Sequence, residues 1–296
     1  MSLRIYLTDT GSVNEERFLW LYQHATAKRR TVIDRMRFQK DKLLSLAAEV
    51  LLSGAVKNFL TKGNDFWCAK EERNQCLIGG MPVTGIDLNL VMEEFFAKEE
   101  VLQTDIGPYG KPYLVSVPGF HYNISHSGTK VLLACSDAEI GCDIEERPRN
   151  TESLVNRCFS DEEKRAYVKS EHRGELFTAV WTRKESFLKA IGLGLKEDLG
   201  RVNVLDENGN GKLEYNGISD LSRNLVTGYM DDGYCYSICY KSGEDFKVNH
   251  EISWYFPVGK EHSMDFDKIT EYLETLPAEY DIPSYDCIIM DNHKQV

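Results

Sequence analysis

Two carboxylates two residues apart, Asp143 and Glu145, stand in the run Gly141-Cys142-Asp143-Ile144-Glu145. On a strand, residues i and i+2 share a face, so this pair points one way while Cys142 and Ile144 point into a core. Carboxylates this close repel unless something positive lies between them. A hard divalent cation such as Mg²⁺ does that, because it prefers oxygen ligands. The pattern alone also suits a plain exposed strand. A third carboxylate, Glu185, sits in the run from Trp181 to Lys189. On a helix Glu185 and Lys189 lie one turn apart on one face, which by itself describes a surface ion pair worth a few tenths of a kcal/mol. Trp181, a turn earlier on the same side, turns the description toward a groove.

The run Asn123-Ile124-Ser125-His126-Ser127-Gly128 brings hydroxyl and imidazole donors into a turn that ends at glycine. Such a turn can hold an anion with side chains and backbone N–H groups together. A Ser–His nucleophile fails on geometry, because adjacent strand residues face opposite ways and His126 cannot activate Ser125.

These groups need elements to position them. The 296 residues are 42% hydrophobic and 28% charged, ordinary for a globular chain of one large or two smaller domains. The net charge is −12, which disfavours a nucleic-acid binder, since that function needs a cationic face. Against this field, Lys28 to Lys42 carries seven Lys or Arg and two acids. That stretch is either a solvated helix face or an anion-facing patch. Residues 260–296 hold nine acids and three lysines. No apolar run reaches the roughly 18 residues of a membrane span, and the N-terminus lacks the apolar stretch of a signal peptide. Eight cysteines without metal spacing read as reduced core residues of a cytoplasmic protein.

Helical periodicity predicts helices after a capping box at Ser12–Glu15, over 42–60, 88–101, 151–157, 161–170 and 175–191, the last closed by Gly192. Short β-rich runs at 114–117, 120–125, 130–136 and 140–145 predict an antiparallel meander. Further strands are expected near 211–215, 225–230, 234–240 and 252–256. Elements grouped in this way indicate an α+β fold.

Five motifs occur in order: GKP (110–112), NISHSG (123–128), GCDIE (141–145), FSDEE (159–163) and WTRKESFLKAIGLGL (181–195). Together they resemble the 4′-phosphopantetheinyl transferases of the larger monomeric Sfp type. The resemblance implies an enzyme that moves the phosphopantetheine arm of coenzyme A onto a serine of an apo acyl or peptidyl carrier protein, with Mg²⁺, leaving 3′,5′-ADP. It implies two similar α+β halves related by a pseudo-twofold, with the active site in the cleft between them. Their extents would be 1–108 and 109–258, followed by an acidic extension at 259–296. By this resemblance Asp143, Glu145 and Glu185 are metal ligands, and Glu185 also belongs to the catalytic set. Glu163 matches the acid proposed as general base, with Glu162 beside it still open. Lys189, Lys184, Lys111, Ser125 and His126 match coenzyme A contacts. Upstream, Arg29 or Arg30 and then Ser45 are the nearest equivalents of further contacts, with Leu44 standing where the family has arginine. The basic stretch gains a second role, steering an acidic carrier. A non-catalytic coenzyme A or nucleotide-binding module, and a divalent-metal phosphodiesterase, are the alternatives. The resemblance implies neither nucleic acid nor membrane as a partner, and it leaves the carrier unnamed and Mn²⁺ open beside Mg²⁺.

Overall fold

The computed structural model describes residues 3–61, 75–78, 81–146, 152–193, 198–230 and 232–241. The chain divides into two compact units, Met1–Phe256 and Pro257–Val296, and every described residue lies in the first. The acidic extension, the strand expected at 252–256, Gly194, Cys68 and Cys287 lie outside the described residues.

Strand β1 (Arg4–Asp9) is the middle of a five-stranded sheet. It pairs in parallel with β3 (Met81–Gly85) and antiparallel with β7 (Lys130–Ser136). The edges are β2 (Gln75–Ile78) and β6 (His121–Ser127). One face, with Tyr6, Tyr122 and Leu133, packs under helix α3 (Gln39–Leu60). The other face, with Ile5, Leu132 and Ala134, packs on a second sheet made of β12 (Arg223–Tyr229), β13 (Tyr234–Lys241) and β8 (Ile140–Glu146). Helix α6 (Arg173–Ile191) covers the far side of that sheet. The layers therefore run helix, sheet, sheet, helix. Strand β7 is buried at all seven positions, which fits the apolar run from Val131 to Cys135 between Lys130 and Ser136.

Helix α3 is long and apolar enough, by length and composition, to cross a membrane, but 78% of that apolar stretch is buried inside this fold. Its apolarity serves the core. Gly141 lets α6 lie directly on β8, since a Cβ there would collide with the backbone of Ser186 and Ala190. Gly192 ends α6 at φ 80, the left-handed cap the sequence predicts.

Several expectations are corrected. Helix α1 (Glu15–His24) is capped by Asn14, whose side chain accepts the Arg17 amide. The Ser12 hydroxyl instead accepts from Asn89. The helix expected at 88–101 is only a 3-10 turn at Glu93–Phe95. Arg17 donates to the carbonyls of Leu88 and Val91, which a helix would have used itself. The expected meander breaks after β7, because β8 crosses into the second sheet and pairs with β13. Around α4 (Glu152–Cys158) and α5 (Asp161–Lys169), a small sheet forms from β9 (Val202–Leu205), β10 (Gly211–Tyr215) and β11 (Ile218–Ser219). A hairpin of β4 (Thr104–Ile106) and β5 (Pro112–Leu114) carries the GKP turn.

Candidate active site

Strands β6 and β8 are edge strands of different sheets, and they meet side by side. Side chains join them. Asn123 Oδ1 accepts the Cys142 amide at 2.8 Å, and Ser127 Oγ accepts the Glu146 amide at 3.1 Å. The two-residue period puts Ser125 and Ser127 on the face that meets β8, and puts Asp143 and Glu145 on the face that meets α6.

At this seam Ser125 Oγ donates to Asp143 Oδ1 at 2.8 Å. Lys189 Nζ, from α6, reaches the same oxygen at 2.5 Å and Ser125 Oγ at 3.1 Å. Ser127 Oγ donates to Glu145 Oε2 at 3.0 Å, and Trp181 is a second neighbour that acts against the rise of the Glu145 pKa. Glu185 lies one turn before Lys189, buried at 4% exposure.

Burial raises all three carboxyls above the ordinary range. Glu185 rises to about 7, through burial first and then the charges of Asp143 and Glu145. Burial opposes the Lys189 charge, but Asp143 outweighs it and raises that ammonium. Asp143 Oδ2 and Glu185 Oε1 are buried with no hydrogen-bond partner among the described residues. Such oxygens are costly to leave unsatisfied. A hard divalent cation would satisfy them, so the donor set fits one. Among the described residues no three His, Cys, Asp or Glu side chains already close around one point. Lys189 supplies the positive charge at Asp143 in this arrangement.

The other expected residues fall in three places. His126 is exposed, on the opposite face of β6 from Ser125 and on the side of Tyr122 and α3. Arg29, on α2 (Ala27–Asp34), pairs with Glu49 at 3.1 Å and donates to Ser45 Oγ at 3.0 Å. Arg30 instead donates to the carbonyls of Gln23 and Ala25, so Arg29 is the arginine that meets Ser45. Leu44 is core. Lys111 Nζ donates to the carbonyls of Ile140 at 2.7 Å and Ala190 at 3.0 Å, fastening the GKP turn to the end of α6. Burial brings its pKa down to about 8.

Glu163 and Lys184 do not reach the seam. They form a buried pair at 2.6 Å, with side chains 0% and 1% exposed. Glu163 sits in the capping box of α5, its Oε2 accepting the Ser160 amide and its Oε1 the Val204 amide, each at 2.8 Å. Burial lowers the Lys184 pKa. Glu162 accepts from Asn203 Nδ2 at 2.8 Å and pairs with Lys212. The bridging roles of Asn123 and Ser127 were missed. The period-2 signal in 123–127 pointed to the two strand residues, but their partners lie 18 and 19 residues away in another sheet.

Comparison with known proteins agrees with the motifs. Residues 139–239 match the family model of the 4′-phosphopantetheinyl transferase superfamily. A 4′-phosphopantetheinyl transferase of Bacillus subtilis is 28% identical over 60% of this chain and 74% of its own. A second from that organism, designated ffp, is 32% identical over 49% of this chain and 64% of its own. A third, Sfp of Bacillus subtilis strain 168, is 28% identical over 57% of this chain and 75% of its own. The matched segment holds β8 and α6, the elements that carry Asp143, Glu145, Glu185 and Lys189. The resemblance drawn from the motifs to 4′-phosphopantetheinyl transferases of the Sfp type is borne out.

Proposed function

We propose that this chain transfers the 4′-phosphopantetheine arm of coenzyme A to a serine hydroxyl of an apo carrier protein, in a Mg²⁺-dependent reaction that releases 3′,5′-ADP. The observation that carries the reading is the buried carboxylate set at the β6–β8 seam, with Lys189 on Asp143 and two carboxylate oxygens without donors.

Asp143, Glu145 and Glu185 would hold the cation, which when bound neutralises charge on the pyrophosphate. The remaining work belongs to the chain. The carrier serine oxygen forms a bond to the phosphorus that bears the pantetheine arm. The bond from that phosphorus to the bridging oxygen breaks, and 3′,5′-ADP leaves with the electron pair. The serine proton is released to water as the new bond forms, since the Glu185 carboxylate is taken up by the cation. Lys189 and Ser125 flank the phosphate position. His126, Arg29 and Ser45 share the other face of the first sheet and suit the more distant phosphate of coenzyme A. Lys111 keeps one ammonium donor beyond its two carbonyl partners for the same ligand.

The pseudo-twofold belongs to this reading as well. Its support is that each sheet carries one long helix on its outer side, α3 on the first and α6 on the second. So does the division at 108/109, although β1 and β7, from either side of it, share a sheet. Cys135, Cys142, Cys158, Cys235 and Cys239 are buried and in no disulfide among the described residues, which suits a reducing cytoplasm. The enzyme would act as a monomer on coenzyme A and an acyl or peptidyl carrier.

The test is incubation with coenzyme A and a panel of apo carriers, with Mg²⁺ or with a chelator, followed by intact-protein mass measurement. The reading expects one phosphopantetheine added to at least one carrier, only with the metal. Coenzyme A binding without turnover would favour a binding module. Coenzyme A cleavage without a carrier would favour a phosphodiesterase.

A further inference from the structure

We propose that Glu163 and Lys184 are a positioning pair that fixes the rotation of α6 and so aims Glu185 into the carboxylate set. The inference rests on the functional reading above only in taking Glu185 as a cation ligand.

An ammonium has three donors, and Lys184 spends all of them in fixed directions. They go to Glu163 Oε2 at 2.6 Å, the Cys158 carbonyl at 2.7 Å and the Leu199 carbonyl at 3.0 Å. Glu163 in turn accepts the Ser160 and Val204 amides. The end of α4, the start of α5, the turn at Leu199–Arg201 and β9 therefore converge on one point of α6. Consecutive helical residues lie about 100° apart. Lys184 thus turns into the α4–α5–β9 side while Glu185 turns toward β8. Apolar packing resists rotation through many weak, undirected contacts, whereas three directed hydrogen bonds select one orientation. A metal ligand must be held within about 10–20° of its working direction. A buried ion pair is often no better for stability than apolar residues of the same volume. Its place one residue before Glu185 therefore calls for a reason other than stability.

The same geometry separates this role from proton abstraction. A general base must come within hydrogen-bond reach of the proton it takes. The Glu163 side chain is 0% exposed, and both of its oxygens are engaged.

The experiment compares Glu163→Gln and Lys184→Met with wild type in the full chain, below their melting temperatures. Calorimetric titration with Mn²⁺ alone, without coenzyme A or carrier, gives the cation affinity. Kinetics give kcat, the KM for coenzyme A and the pH–rate profile. The expected result is a cation affinity about 10- to 100-fold weaker, the range seen for groups that orient metal ligands. Transfer should recover at high Mg²⁺, and the acid limb of the pH profile should be kept. An unchanged cation affinity, with kcat down by about 10²–10⁴-fold and no recovery, would mark Glu163 as the base and overturn the proposal. Where the single variants do not fold, Glu163→Leu with Lys184→Met removes both charges together. Wild-type cation affinity in that variant also overturns it, and weakened affinity supports it. Cation binding by wild type that Glu163→Gln weakens, without transfer to any carrier, sinks the transferase reading and leaves the positioning role standing. No cation binding by wild type overturns the positioning role itself.

Discussion

Lys189 and Asp143 hold one another at 2.5 Å across the contact of α6 with β8, while the second Asp143 oxygen is buried without a donor among the described residues. One oxygen is thus tied to a cation from the protein, and under the proposed function the other would take a cation from solution.

Replacing Asp143 tests that division. Asp143→Asn keeps the shape and removes the charge, so the Lys189 ammonium loses its counterion and the cation loses a ligand. Transfer should fall by at least about 10²-fold, the scale of losing one charge-stabilising group. Circular dichroism should show the fold retained. Transfer within twofold of wild type would remove Asp143 from the site.

The raised carboxyls give a pH dependence with a definite sign. A carboxyl whose folded pKa lies above its unfolded value favours the folded state when protonated. Its contribution is complete below the unfolded value near 4.5 and is lost as pH rises through the folded value, about 7 for Glu185. Under the proposed function a divalent cation would take the place of that proton. Stabilisation of the protein by Mg²⁺, read as a shift in Tm, should therefore be larger at pH 8 than at pH 5.5. A larger shift at pH 5.5 would contradict the assignment of these groups.

Gly141 separates packing from chemistry. A methyl group there would press on the backbone of Ser186 and Ala190 and push α6 from β8. Gly141→Ala should destabilise the protein by about 3 kcal/mol, the upper part of the usual range for overpacking. Denaturant unfolding measures it, and a change under about 0.5 kcal/mol would mean the helix yields freely.

The basic stretch offers a prediction about the partner. Arg35 and Arg37 are exposed in the link from α2 to α3, beside Phe38 at 60% exposure. Charge reversal, Arg35→Glu with Arg37→Glu, should lower kcat/KM for an acidic carrier about tenfold at low salt and flatten its salt dependence. The KM for coenzyme A should stay unchanged. An equal loss toward both substrates would place these arginines at the nucleotide instead.

Much of the site could be read from the sequence because it follows from short periods. Asp143 with Glu145, and Glu185 with Lys189, share faces by strand and helix geometry alone. The same reasoning, carried one residue further, separates Lys184 from Glu185 by about 100° and turns it away from the carboxylate set. Contacts between distant segments were not legible. The false helix at 88–101 has good local periodicity and loses to Arg17, which takes the Leu88 carbonyl from 71 residues away. Likewise nothing local says that β7 and β8 belong to different sheets, or that Ser127 would brace Glu145 across the join.

The most direct measurement is the intact mass of an apo carrier after incubation with coenzyme A, Mg²⁺ and either wild type or Glu185→Gln. The account predicts one added phosphopantetheine with wild type and none with the folded variant in the same time. Equal addition by the two proteins would contradict it.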